Sequence, residues 1–243
     1  MGTLVKITVD THQPDRAERA IKLAFARIHQ LDLRLSNYRL DSEVNHFDPA
    51  RVSADLRPPW ELSQRLYHET QGRFDVRQTA LFDLWRAARK SSVLPSPEAI
   101  AAARTASGSR LDLGGIAKGY AADEALRVLR SAGEGRALVA ESGDLVVGDG
   151  AWNILLDIAK RTVALHRSAV STSGDTEQFL ESGGKRYSHI VDPLTGMGLT
   201  NGVVASVVAR SGMVADALAT VVCLLGVAKG SRLARRYGAS VYV

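Results

Sequence analysis

The spacing of apolar residues changes near residue 133, and this change limits the folds open to the chain. Before it, apolar residues recur at helical intervals, as in the long segment that begins at Pro14 and runs to Leu31. After it, short β-rich runs at 137–140, 144–147, 152–158 and 162–165 are separated by glycine and charged turns. Helices combined with turn-linked short strands predict an α+β fold in which antiparallel sheets pack against helices.

The remaining patterns extend this fold to both ends of the chain. Further strands are predicted at 4–9, 203–209 and 239–243, a hairpin at 177–180 with 186–191, and helices at 58–72, 79–89, 98–104, 116–131 and 213–225. Internal repeats and low-complexity linkers are absent from the sequence. We therefore expect a single domain over residues 1–243.

Composition excludes several classes of protein. With 243 residues, 45% hydrophobic and 23% charged, the chain is neither disordered nor collagen-like, and one cysteine excludes an internal disulfide scaffold. The longest apolar stretch, 213–228, is interrupted by Asp216 and is shorter than the ~20 residues of a membrane span. The first residues lack the pattern of an export signal, so the sequence as written predicts a cytoplasmic protein, or a periplasmic one if a leader was removed.

The net charge of +5 raises the question of nucleic-acid binding. The arginines are dispersed and often stand beside acidic residues, as in Asp15-Arg16 and Glu18-Arg19. Such dispersal favours a solvated surface, and we expect no nucleic-acid partner. The positive balance favours an anionic small molecule such as a phosphate ester.

A glycine-rich loop at 111–119 precedes a predicted helix. Adjacent glycines Gly114 and Gly115 allow close approach of a ligand to the backbone, and Lys118 adds positive charge to the first helical turn. The loop matches neither GxxxxGK[ST] nor GxGxxG. It is therefore either a phosphate-binding loop or a structural tight turn with a solvated lysine.

Two other segments carry candidate functional groups. His189 ends a predicted strand before an Asp-Pro and Thr-Gly turn, so it is either a general base or a structural hydrogen-bonding residue. Asp216 and Thr220 are four residues apart, which places their oxygens on one face of an apolar helix. One interpretation is that they form part of a site for a hard cation. The other is that Asp216 has a structural role, in which it caps a turn or pairs with an arginine. The histidines do not cluster as in a zinc site.

In this order, these segments resemble the ApbE family of FAD:protein FMN transferases over nearly the whole chain. The resemblance depends on seven stretches, namely 1–3, 35–38 with 41–43, 72–75 with 84–85, 111–119, 173–175, 189–196 and 215–220. One departure is Ser142-Gly143-Asp144, where the family has Gly-Gly-Asp. The resemblance implies an architecture related to the T-fold.

The resemblance also implies an activity and the residues that perform it. Members transfer FMN from FAD, with magnesium, to a Ser or Thr hydroxyl of an acceptor flavoprotein, through a phosphoester bond and with release of AMP. The positions matching FAD contacts are Met1, Tyr38, Arg73, Phe74, Asp75, Asp112, Lys118 and Ile190. The positions matching the magnesium site are Gly115, Asp216, Ala219 and Thr220. His189 matches the general base. Hydrolysis of FAD to FMN and AMP, and FAD binding without turnover, are the alternatives.

Overall fold

A computed structural model of the protein describes residues 4–106 and 108–243. Its α-helices are α1 (Pro14–Leu35), α2 (Arg57–Glu69), α3 (Thr79–Ser91), α4 (Pro97–Thr105), α5 (Ala117–Ser131), α6 (Gly212–Leu225) and α7 (Val227–Arg236). A short 3-10 turn lies at Glu43–Asn45. Proline at the start of α1, α2 and α4 suits the first helical turn, where its missing N–H costs no hydrogen bond.

The described strands form one large sheet and three small ribbons. They are β1 (Val5–Val9), β2 (Ala137–Glu141), β3 (Asp144–Val147), β4 (Trp152–Leu156), β5 (Arg161–Leu165), β6 (Ser168–Ser173), β7 (Phe179–Ser182), β8 (Lys185–Ser188), β9 (Val191–Asp192), β10 (Met197–Gly198), β11 (Ala205–Ala209) and β12 (Ser240–Tyr242). The large sheet is antiparallel throughout, in the order β1-β2-β3-β6-β11-β12. The ribbons are β4-β5, β7-β8 and β9-β10.

The large sheet lies between a helical layer and the β4-β5 ribbon. One face contributes Val139, Val146 and Val207 to the main core, against α5 and α6. The other face contributes Val147 and Val170 to a smaller cluster with the β4-β5 ribbon. Side chains of successive strand residues point to opposite faces, which is why a single strand serves both clusters.

A third apolar cluster anchors the segment around His189. It joins α3 to β7 and β9 through Leu81, Trp85, Leu180 and Val191. The indole Nε1 of Trp85 donates to the carbonyl of Gly196 at 2.8 Å. The turn after His189 is thereby held against α3.

The predicted α+β class, with antiparallel sheets and packed helices, is confirmed, and most elements lie where the sequence predicts them. The sequence patterns missed β6, a central strand rich in Ser and Thr, because its place depends on backbone bonds to β3 and β11 rather than on apolar content. They also missed α7 and the β9-β10 ribbon. The strand predicted at 152–158 ends at Leu156. Among the described residues, none of the helices is both long and apolar enough to cross a membrane.

Candidate active site

A cavity of about 820 Å³ opens where the loops before and after the core helices meet. This volume lies within the usual range of small-molecule sites. The residues singled out from the sequence that lie on its wall are Tyr38, Arg73, Phe74, Asp75, Asp112, Gly115, Lys118, His189, Ile190, Asp216 and Thr220. The structure therefore brings together residues from five separate parts of the chain.

One of the described residues singled out from the sequence is not among those that line this cavity. Ala219 is fully buried in the main core and is absent from the cavity wall, because its position on α6 faces the packed interior. Its side chain has no donor atom, so only its backbone could take part in the magnesium site that the resemblance implies. Met1 lies outside the described residues.

The crossing of α5 and α6 creates the corner at which a cation is expected. The buried carboxylate of Asp216 accepts a hydrogen bond of 3.1 Å from the backbone N–H of Gly119. One turn later, the Thr220 hydroxyl lies 3.1 Å from the point that a Cβ on Gly115 would occupy. The Ser173 hydroxyl is 3.4 Å from Thr220 Oγ1. Carboxylate and hydroxyl oxygens therefore collect beside the glycine loop.

The ammonium of Lys118 lies inside this oxygen-rich corner. Its Nζ atom is 3.3 Å from Oδ2 of Asp216, 3.2 Å from Oδ2 of Asp144 and 3.1 Å from the Gly114 carbonyl. Burial lowers the pKa of Lys118, but Asp216 and Asp144 raise it by more, so the net shift is upward. Burial and the negative charge of Asp216 raise the pKa of Asp144. Asp216 thus pairs with a lysine, not with an arginine.

The donor set fits a hard cation such as magnesium. Asp216 supplies a carboxylate, Thr220 a hydroxyl and the Gly115 loop a carbonyl, which are the ligand types that magnesium prefers. The same corner already accommodates one positive charge, the Lys118 ammonium. In the parts of the chain that the structure describes, clusters of three or more His, Cys, Asp or Glu suited to a metal are absent. The chemistry therefore matches an oxygen site with one carboxylate rather than a histidine or cysteine site.

The imidazole of His189 is held in one orientation at the cavity wall. Its backbone N–H donates to the Gln178 carbonyl at 3.0 Å, and its Nδ1 lies 3.2 Å from the same oxygen. Because a carbonyl only accepts, Nδ1 carries the proton and Nε2 keeps its lone pair. Burial is the main cause that lowers the pKa of His189 to about 4, and the positive charges of Arg89 and Lys118 act in the same direction. At neutral pH this ring is a proton acceptor.

Asp112 links the glycine loop to the loop that carries Tyr38. Its carboxylate accepts hydrogen bonds from the Gly114 N–H at 2.8 Å and from Asn37 Nδ2 at 2.9 Å, and it pairs with Arg86. The Tyr38 ring itself is 72% exposed, and the Arg86 guanidinium carbon lies 5.5 Å from its centroid. An exposed aromatic face beside a cavity is suited to stacking on a planar ligand.

The segment around Arg73 and the turn after His189 support each other. Arg73 pairs with the buried carboxylate of Asp192, which also accepts from the Leu194 N–H at 3.0 Å. Phe74 and Ile190 are buried and contribute apolar surface to the cavity wall. Asp75 accepts from Arg77 Nε at 2.9 Å.

Sequence reasoning missed several groups on this wall. Arg86 and Arg89 project from α3 into the cavity together with Phe82, a spacing of four and then three residues that defines one helix face. That spacing within the predicted helix is the signal that would have found them. The Gln178 carbonyl has no sequence signal, because every residue has such an oxygen.

Comparison with known proteins identifies the family. The ApbE family model matches residues 1–243, and the chain therefore belongs to the ApbE family. Curated relatives named FAD:protein FMN transferase include one from Vibrio cholerae, 30% identical over 96% of this chain and 82% of the relative. One from Klebsiella pneumoniae is 28% identical over 100% of this chain and 81% of the relative.

Solved structures agree with this assignment. The flavin transferase ApbE from Vibrio cholerae superposes with a TM-score of 0.80 at 27% identity, covering 99% of this chain and 89% of that one. The ApbE protein from Thermotoga maritima gives a TM-score of 0.79 at 26% identity, covering 99% and 90%.

Proposed function

We propose that this protein transfers FMN from FAD to a Ser or Thr hydroxyl of an acceptor flavoprotein and releases AMP. Magnesium would be bound by Asp216 at the corner where α5 and α6 cross. The observation that carries the proposal is the convergence of a cation-binding corner and an oriented neutral histidine on one cavity. The relatives named FAD:protein FMN transferase support the same activity.

The α5-α6 corner would receive the diphosphate of FAD. Lys118 presents a partly buried ammonium there, and the start of α5 adds the positive end of a helix dipole. Magnesium held by Asp216, Thr220 and the Gly115 carbonyl would neutralise the diphosphate and stabilise the negative charge on the leaving phosphate. Asp112 holds the glycine loop in place through the Gly114 N–H.

His189 would take the proton of the acceptor hydroxyl. Its Nε2 is free because Nδ1 is committed to Gln178, and the ring is neutral at pH 7. The hydroxyl oxygen forms a bond to the FMN phosphorus, and the bond from that phosphorus to the bridging oxygen breaks. The bridging oxygen leaves with AMP, and the proton of the hydroxyl passes to His189.

The aromatic and apolar part of the wall would receive the isoalloxazine ring. Tyr38 offers an exposed aromatic face, while Phe74 and Ile190 add buried apolar surface to the cavity wall. A cavity with one apolar and one cationic region suits a ligand that joins a planar ring system to a diphosphate.

Transfer is tested by mass spectrometry on a defined acceptor. Purified protein, FAD and magnesium chloride are mixed with a purified acceptor flavoprotein subunit, and the subunit is expected to gain the mass of one FMN unit while AMP appears in equal amount. The Asp216→Asn variant, which removes the only carboxylate of the donor set, is expected to give neither product.

The same reaction separates the alternatives. AMP formation that proceeds without acceptor, with no adduct when acceptor is present, would show hydrolysis of FAD by water. Tight FAD binding that magnesium does not affect, with no AMP after hours, would show a flavin-binding protein without turnover. Either result would overturn the proposed transfer.

A further inference from the structure

Asp144 is a buried carboxylate to which the proposed chemistry gives no task. Its side chain is 3% exposed, and it is not part of the cavity wall. Its Oδ2 atom lies 3.2 Å from Nζ of Lys118. A buried carboxylate that pairs with one lysine affects the site by fixing the position of that lysine. The function of Asp144 therefore depends on the position of the Lys118 ammonium.

The β2-β3 turn sets the position of Asp144. Glu141 pairs with Asp144 in the ladder, so the turn consists of Ser142 and Gly143 alone. Both residues have positive φ values, 38° and 87°, which is the conformation of a tight two-residue hairpin. Asp144 is thus the first residue of a central strand, fixed by neighbours on both sides, and it packs beside the start of α5.

Lys118 therefore has two carboxylate partners that differ in their other tasks. Asp216 faces the cavity and belongs to the proposed magnesium site, whereas Asp144 does not line the cavity. A divalent cation at Asp216 would repel the ammonium 3.3 Å away. With Asp216 as its only partner, Lys118 would have either to leave or to compete with the cation for that carboxylate.

We propose that Asp144 is a positioning residue that retains the ammonium of Lys118 when Asp216 binds the cation. Lys118 then keeps a buried counter-ion, remains charged, and stays beside the diphosphate as a second positive group. This inference rests on the proposed function, since it requires Asp216 to bind a divalent cation. It assigns a task to the aspartate that follows the β2-β3 turn.

The inference is tested by manganese binding, with Mn²⁺ as the spectroscopically visible probe at the magnesium site. Free Mn²⁺ is measured by electron paramagnetic resonance in titrations of the wild type, Asp144→Asn, Lys118→Met and the double variant. Asp144→Asn is expected to weaken binding about tenfold, in the range seen when outer partners of a metal site are removed. The cause would be competition from Lys118, which is left with Asp216 alone.

The double variant separates positioning from direct ligation. Removing Lys118 as well removes the competitor, so the double variant is expected to bind Mn²⁺ to within about threefold of the wild type, a difference below 1 kcal/mol. If Asp144 were itself a ligand, the double variant would bind as weakly as Asp144→Asn, and the inference would be wrong. Unchanged binding in Asp144→Asn would also overturn it.

Controls keep the result separate from folding and from the proposed function. Asp149→Asn, near the far end of β3, removes a carboxylate that pairs with Arg167, and it is expected to leave Mn²⁺ binding unchanged. Thermal melting checks the fold of each variant, and Asp144→Ser replaces Asp144→Asn if the latter does not fold, with the same expectations. If Asp216→Asn lost Mn²⁺ binding while Asp144→Asn bound as the wild type does, this inference would be rejected and the proposed metal site would stand. A wild type that binds no Mn²⁺ would reject the proposed metal site and this inference with it.

Discussion

Gly119 on α5 and Gly212 on α6 touch through their backbones. A Cβ on Gly119 would lie 2.1 Å from the Gly212 carbonyl oxygen, and a Cβ on Gly212 would lie 2.5 Å from the Gly119 carbonyl oxygen. This close crossing allows the Gly119 N–H to reach Asp216, and it places Lys118 next to the same carboxylate. The geometry of the cation corner therefore depends on two residues without side chains.

Gly119→Ala is expected to destabilise the protein by about 3 kcal/mol, because the added methyl group meets backbone that cannot move without separating the helices. Urea unfolding followed by circular dichroism measures the change. Gly108→Ala is the matched control, since the nearest atom to its added Cβ would be 4.0 Å away, and we expect its midpoint to stay at the wild-type value. Equal midpoints for the two variants would show that the crossing is not tight.

His189 is expected to titrate near pH 4 in the ligand-free protein, well below its usual 6.5, because burial disfavours the imidazolium. The ring is then neutral at every pH above about 5. Two-dimensional NMR of the histidine ring protons, assigned with His189→Gln, measures the value. A titration midpoint near 6.5 would contradict the buried environment described above.

Arg89→Gln is expected to raise the pKa of His189, because a nearby cation that disfavours the imidazolium is removed. Arg89→Lys keeps the charge, so it should leave the titration close to that of the wild type. The remaining charged groups that act on His189 are Lys118, which lowers its pKa, and Asp175, which raises it. The same NMR titration provides the measurement, and identical midpoints for Gln and Lys at position 89 would exclude an effect of charge.

His189→Gln is expected to slow FMN transfer by about 10² to 10⁴, the usual contribution of a general base. FAD affinity should change little, since the imidazole faces the acceptor hydroxyl rather than the flavin ring in the proposed reaction. Rates come from the mass-spectrometric assay and affinity from flavin fluorescence. An unchanged transfer rate would remove His189 as the base.

Tyr38→Ala is expected to weaken FAD binding by about 1 kcal/mol, close to fivefold, through loss of an aromatic face. Tyr38→Phe keeps that face and should bind as the wild type does. Fluorescence titration measures both affinities. Equal losses in the two variants would assign the effect to the hydroxyl instead.

Local sequence patterns predicted most of the helices and strands, but they failed where position depends on the rest of the fold. The strand β6 is rich in Ser and Thr, and it exists because β3 and β11 bond to it on both sides. The helix α7 is polar along most of its length, so the spacing of its few apolar residues does not predict a helix. In the candidate site, side-chain chemistry identified Asp216 and His189 in the sequence, whereas the role of the Gln178 carbonyl could be recognised only in the three-dimensional structure.

By itself, the sequence determined the α+β class, the glycine loop before α5, and the placement of Asp216 and Thr220 on one helix face. These properties follow from the period of a helix or strand and from residue types a few positions apart. Only the tertiary structure decided that Lys118 pairs with both Asp144 and Asp216, and that His189 lies where burial lowers its pKa. Those facts depend on contacts between residues distant in sequence, such as Gly119 with Asp216, and on burial that no local pattern specifies.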